Sequence, residues 1–178
     1  MTLRAHAGFG ADGREEQGMK ALIFYDSYYG NTQRVAEAIA EEVRSQGHEA
    51  DLRSMRKKYP APPRGDILFL GSPVRLGTTT KRAKKFVRSL DENLWKDKPV
   101  VVFTTVLALP ENPRPEQIES REKYDLAAGR KLAEMAKAEG LNALAERLAV
   151  DVVGMKGPLA ETGLEQTKQF TRSILGRL

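Results

Sequence analysis

The feature that most constrains the fold is a rhythm of uninterrupted apolar runs separated by stretches of helical period. Ala21-Leu22-Ile23-Phe24-Tyr25, Asp66-Ile67-Leu68-Phe69-Leu70 and Val100-Val101-Val102-Phe103-Thr104-Thr105-Val106 show little in-out alternation. That is the pattern of strands covered on both faces. His48 to Met55 alternates weakly and reads as an outer strand, and Leu148 to Val153 as a short fifth one. Between strands, Val35, Ala36, Ile39, Ala40 and Val43 follow the i, i+3, i+4 rule, in a helix that opens at Asn31 or Thr32 and stops near Gly47. Ala83, Phe86, Val87 and Leu90 share one face of a second helix, a long helical region runs from about 116 to 139, and residues 164 to 175 carry the last. Parallel neighbours require long crossovers of right-handed sense. The expectation is therefore an α/β fold of three layers, a doubly wound, five-stranded, mostly parallel sheet with helices on both sides.

The chain of 178 residues is of single-domain length and shows no internal repeat. Residues 1–18 carry scattered glycine and charge without periodicity and read as a flexible extension, leaving 19–178 as the domain and Met19 as a candidate start. There is no cysteine, so thiolate nucleophiles, disulfides and cysteine-held zinc or iron–sulfur clusters are excluded. Any redox chemistry must then come from a bound organic group. Cysteine usage suits the cytoplasm. No run approaches the roughly 20 apolar residues that cross a bilayer, so no membrane span is expected.

In doubly wound sheets, ligands sit beyond the carboxyl ends of the strands. Loops 26–32, 71–79 and 105–115 are the ones to inspect. Ser27-Tyr28-Tyr29-Gly30-Asn31-Thr32 joins a buried strand to a helix start, where backbone N–H groups lack partners and the helix dipole is positive. Ser27 and Thr32 add hydroxyls, and Gly30 leaves room for close approach of an anion. The loop has no lysine and no metal ligand, which suits a phosphate that is held, not transferred. The bland alternative is that these residues only turn the chain and cap the helix.

The segment from Ile23 through Thr32, followed by Val35-Ala36, closely resembles the flavodoxin signature. In that family the loop reads Ser/Thr-x-Thr-Gly-x-Thr and wraps the FMN phosphate. Ser27, Gly30 and Thr32 match, while Tyr29 replaces the middle threonine. Gly71-Ser72-Pro73-Val74-Arg75-Leu76-Gly77 resembles the second flavin loop, and Thr104 to Pro110 the third, of which Thr105, Val106 and Leu107 are the residues expected at the cofactor. The resemblance implies strand order 2-1-3-4-5, coverage from residue 19 onward, and FMN as cofactor. The second and third loops contain no aromatic residue to stack on a flavin ring, which leaves Tyr28 and Tyr29 as the nearest candidates.

Other signals are weaker. Gly8-Phe9-Gly10-Ala11-Asp12-Gly13 matches Gly-x-Gly-x-x-Gly by letter, but no buried strand precedes it. Asp26 invites a receiver-domain reading, yet Gly71 stands where the phosphorylatable Asp would be. His6 and His48 are isolated, so no metal site is expected. The net charge of +5 is concentrated in two basic runs, within 53–64 and 81–88. These are solvated surface or a docking site for an acidic redox partner or substrate; nucleic acid is not favoured, because aromatics are barely interleaved. The resulting expectation is an FMN-binding electron-transfer protein with no catalytic acid or base. The alternatives are an FMN-dependent reductase or oxidase of a quinone or porphyrin-like substrate, and a flavin-free module. The oligomeric state is left open.

Overall fold

A computed structural model describes residues 18–178. The elements in chain order are β1 (Lys20–Tyr25), α1 (Asn31–Ser45), β2 (Glu49–Ser54), β3 (Ile67–Arg75), β4 (Thr78–Thr79), α2 (Lys81–Ser89), α3 (Glu92–Trp95), β5 (Val100–Leu107), α4 (Pro115–Ser120), a π-helical turn (Arg121–Leu126), α5 (Ala127–Ala138), β6 (Ala143–Val152) and α6 (Gly163–Leu175). The sheet order is β2-β1-β3-β5-β6, and every pairing along it is parallel. Counting the five long strands alone, this is the expected 2-1-3-4-5. The Gly8 to Gly13 run lies outside the described residues.

Side-chain alternation along the central strands divides the core in two. Ala21, Ile23, Ile67, Phe69, Val101 and Phe103 point to one side, where Val35, Ile39 and Val43 of α1 and Ile174 and Leu175 of α6 cover them. Leu22, Phe24, Leu68, Leu70, Val100 and Val102 point to the other, against Ala83 and Val87 of α2, Trp95 of α3 and Leu132 and Ala136 of α5. Both sets are buried, which is why these strands lack polar alternation.

Four details depart from the sequence reading. β3 does not end at Gly71 but continues to Arg75 and folds back through Leu76-Gly77 into β4, so the expected 71–79 loop is largely a hairpin. Leu76 (φ 49°) and Gly77 (φ 71°) both have positive φ, the geometry of a two-residue hairpin turn that matches strand twist. β6 begins at Ala143, ahead of the expected Leu148. Its early residues Glu146 and Arg147 are exposed on this edge strand, and charged edge residues hide a strand from a hydrophobicity reading. The long helical region is interrupted by the π-helical turn, and the one-turn α3, not foreseen, serves to bury Trp95.

Candidate functional site

The carboxyl ends of β1, β3, β5 and β6 bound a cleft of about 360 Å³, within the size range of small-molecule sites. From the loop after β1 come Ser27, Tyr28, Tyr29, Asn31 and Thr32; from the β3 end Pro73, Val74, Arg75 and Leu76; from the β5 end Thr105, Val106 and Leu107. Three segments far apart in sequence thus converge because the sheet places their strands side by side.

One wall of the cleft is the start of α1. Gly30 is its N-cap in a left-handed conformation (φ 88°), no side chain caps the helix, and its first turn contains no acidic residue. The first intrahelical bond is Arg34 N–H to the Gly30 carbonyl, at 3.0 Å. The preceding N–H groups of the turn are therefore open to an outside acceptor. A Cβ placed on Gly30 would have no neighbour within 4 Å, so the space beyond it is free. The loop is held in shape by its own hydroxyls. Ser27 Oγ accepts the Gly30 N–H at 3.1 Å, and Thr32 Oγ1 bonds Thr105 Oγ1 at 2.8 Å in the interior. The latter contact pins the helix start to the end of β5.

The rim is positively charged and partly aromatic. The Arg75 and Arg56 guanidinium carbons lie 4.4 and 4.8 Å from the Tyr28 ring centre, and Lys156 Nζ lies 5.8 Å from that of Tyr29, all within cation–π range. Both tyrosines are about half exposed. Beneath them the fully buried Asp26 carboxylate accepts hydrogen bonds from Arg56 Nε at 3.0 Å and Arg82 Nη1 at 3.2 Å. At the end of β1, Tyr25 is held above the ordinary phenol range, first by burial and then by the charges of Glu37 and Tyr59, and so stays neutral.

Three residues expected at the site do not line it: Gly30, which caps α1 at its edge, Ser72 and Gly77. Ser72 is buried, its Oγ accepting the Thr80 N–H at 3.0 Å and donating to the Pro73 carbonyl at 2.9 Å, which anchors the hairpin. Gly77 occupies the turn itself, packed against Tyr124 so closely that a Cβ would fall 2.8 Å from that of Tyr124. His48 has a local duty, its Nδ1 accepting the Met19 N–H at 3.2 Å. Conversely, Asp125, Val152, Gly154 and Met155 line the cleft and were not anticipated. Applying the carboxyl-end rule to the loop after the fifth strand as well would have found the last three. Asp125 arrives on the π-helical turn, for which the sequence carries no signal.

Comparison with known proteins bears on the fold and the lineage. A family model described as "Flavodoxin domain" matches residues 22–150. A flavodoxin from Aquifex aeolicus (strain VF5) is 33% identical over 78 residues, which is 43% of this chain and 42% of that protein. The chain thus spans less than half the length of this curated relative. Among solved structures, the WrbA-like flavodoxin of Agrobacterium tumefaciens superposes with a TM-score of 0.66 at 20% identity, covering 90% of this chain and 97% of that one. Flavodoxin 2 of Bacillus cereus gives 0.62 at 22% identity (89% and 99%). Rubredoxin oxygen:oxidoreductase of Desulfovibrio gigas gives 0.64 at 19% identity, covering 92% of this chain but 37% of that larger one. The structural likenesses speak to the fold, and the sequence match to its lineage: the chain belongs to the flavodoxin domain family.

Proposed function

We propose that residues 19–178 form an FMN-binding module that carries electrons, with the FMN phosphate at the N-terminus of α1. The observation that carries the reading is the uncapped, acid-free first turn of α1 opening onto a cleft of small-molecule size. A phosphate there would accept the N–H groups of the first turn of α1 and meet the dipole's positive end. Ser27 and Thr32 would frame it, with their hydroxyls already oriented by Gly30 and Thr105. Homologues in this family bind flavin, usually FMN, which supports the choice among phosphate ligands. The bound flavin would supply the redox chemistry, and the chain would hold and orient it and set the local charge. Val74, Leu76, Val106 and Leu107 would give the ring apolar walls, and Tyr28 and Tyr29 its nearest aromatic neighbours.

Redox titration together with a turnover assay separates carrier from enzyme. A carrier loaded with FMN exchanges its electrons with a one-electron dye mediator, yet oxidises NADPH in the presence of quinone no faster than free FMN. Quinone-dependent NADPH oxidation well above that background would assign a reductase instead. A chain that purifies colourless and does not take up added FMN would overturn both.

A further inference from the structure

The two basic runs, separate in sequence, become one surface in the fold. Phe24 of β1 stacks on Phe86 of α2 with ring centres 4.5 Å apart and meets Tyr59 of the β2–β3 loop edge-on at 5.6 Å. Asp26 binds Arg56 from one run and Arg82 from the other. These contacts fasten the β2–β3 loop beside α2. Within the two runs Lys57, Lys58, Arg64, Lys81, Lys85 and Arg88 are exposed. None of the six has a carboxylate partner among the described residues.

This surface runs directly into the rim of the cleft. Arg56 lies against Tyr28, a cleft residue, and Lys84 Nζ donates to Thr78 Oγ1 at 2.6 Å, at the base of the hairpin that carries Leu76. Leu76 is fully exposed, with its backbone at positive φ. A large apolar side chain presented at a strained turn, next to a half-exposed tyrosine and a field of unpaired cations, has the composition of a docking site: an apolar anchor with a charged rim.

We propose that this joined basic face docks an acidic protein, which brings the partner's redox centre against the cleft. The idea rests on reading the cleft as a flavin site. Three observations select the partner's class. Tyr59 and Phe86, the aromatics within the basic runs, are engaged with Phe24, so the runs themselves offer no stacking platform for nucleic-acid bases. Ala83 and Val87 of α2 are fully buried, which leaves that helix no apolar face to sink into a bilayer. A second copy of the chain would set cation against cation. Complementary charge here would act mainly through the rate of encounter and so would be sensitive to salt.

The test measures binding of an acidic [2Fe–2S] ferredoxin to the FMN-loaded protein at about 50 mM and about 500 mM salt. The comparison is with K81E/K85E/R88E on α2 and with K168E/R177E, on α6 and just beyond its end, across the sheet. The expected result is binding to the unaltered protein at low salt that weakens about tenfold or more in the α2 variant and in high salt, while the α6 variant binds as the unaltered protein does. Should the charge reversal unfold the chain, the neutral K81Q/K85Q/R88Q variant keeps the comparison, with a smaller loss expected. Absence of binding at low salt, or equal binding by the α2 variant, would overturn the proposal. So would tighter binding of an oligothymidine or of phosphatidylserine vesicles. Ferredoxin binding by a chain that takes up no FMN would uphold the docking face while overturning the flavin reading.

Discussion

At the scale of single residues, Gly71 shows how the fold and a sequence motif can demand the same amino acid for different reasons. It pairs in register with Phe103 on β5, and a Cβ built on it would come within 2.1 Å of the Phe103 ring. The glycine that the sequence reading placed at the end of a strand is in fact inside β3, where it makes room for a core aromatic. Gly71→Ala should destabilise the chain by about 1–3 kcal/mol through overpacking, and Phe103→Leu in the same chain should recover part of that loss. Thermal melts of the two variants check it. Gly30 is the contrasting case, since a Cβ there meets open space and only its left-handed φ of 88° resists substitution. What occupies that space is a question of ligand, not of packing.

Between elements, the best-defined electrostatic link joins α1 to α6. The Glu42 carboxylate is almost fully buried, and its Oε1 accepts from Arg172 Nε at 2.9 Å and from Gln46 Nε2 at 2.8 Å. Burial pushes Glu42 upward, but the hydrogen bonds from Arg172 and Gln46 and the charge of Arg172 outweigh it, and the carboxyl lies below its ordinary value of 4.5. A carboxylate with a depressed folded pKa stabilises above its unfolded value and loses that contribution as pH falls through the folded one. Glu42→Gln should therefore melt lower than the unaltered chain at pH 7, and the gap should close as pH is taken below about 4. A gap independent of pH would mean that packing, not charge, is what the substitution removes. The period of α1 and its stop at Gly47 could be read from the sequence, because apolar spacing and a glycine terminator are local signals. The tie to α6 could not, since Glu42 and Arg172 are 130 positions apart. The hairpin after β3 was hidden for a related reason, its turn using a leucine where a glycine or asparagine is the usual marker.

For the whole molecule, strand order and layering follow from strands apolar on both faces, and these determine where a cleft can be. Three of its walls were legible because each begins at the end of such a strand. The remainder, Asp125 with Val152, Gly154 and Met155, depends on a helix irregularity and on a loop whose own residues carry no chemical signature. Nor does the sequence show that residues 53–64 and 81–88 form one surface, which is a product of the core contacts of Phe24 and of the buried Asp26. Whether the α1 start holds a phosphate of FMN is decided by comparing Gly30→Asp with Gly30→Asn. Asp and Asn are nearly identical in shape, and both tolerate the left-handed conformation. They differ in charge, and a carboxylate at a helix N-cap favours the empty protein. Fluorescence titration with FMN should show quenching on binding to the unaltered chain, weaker binding by Gly30→Asn, whose side chain takes up part of the space beyond Gly30, and binding lost in Gly30→Asp, although without ligand the Asp variant melts no lower than the Asn one. Equal FMN affinity in the two variants, or no quenching by the unaltered chain, would contradict the account.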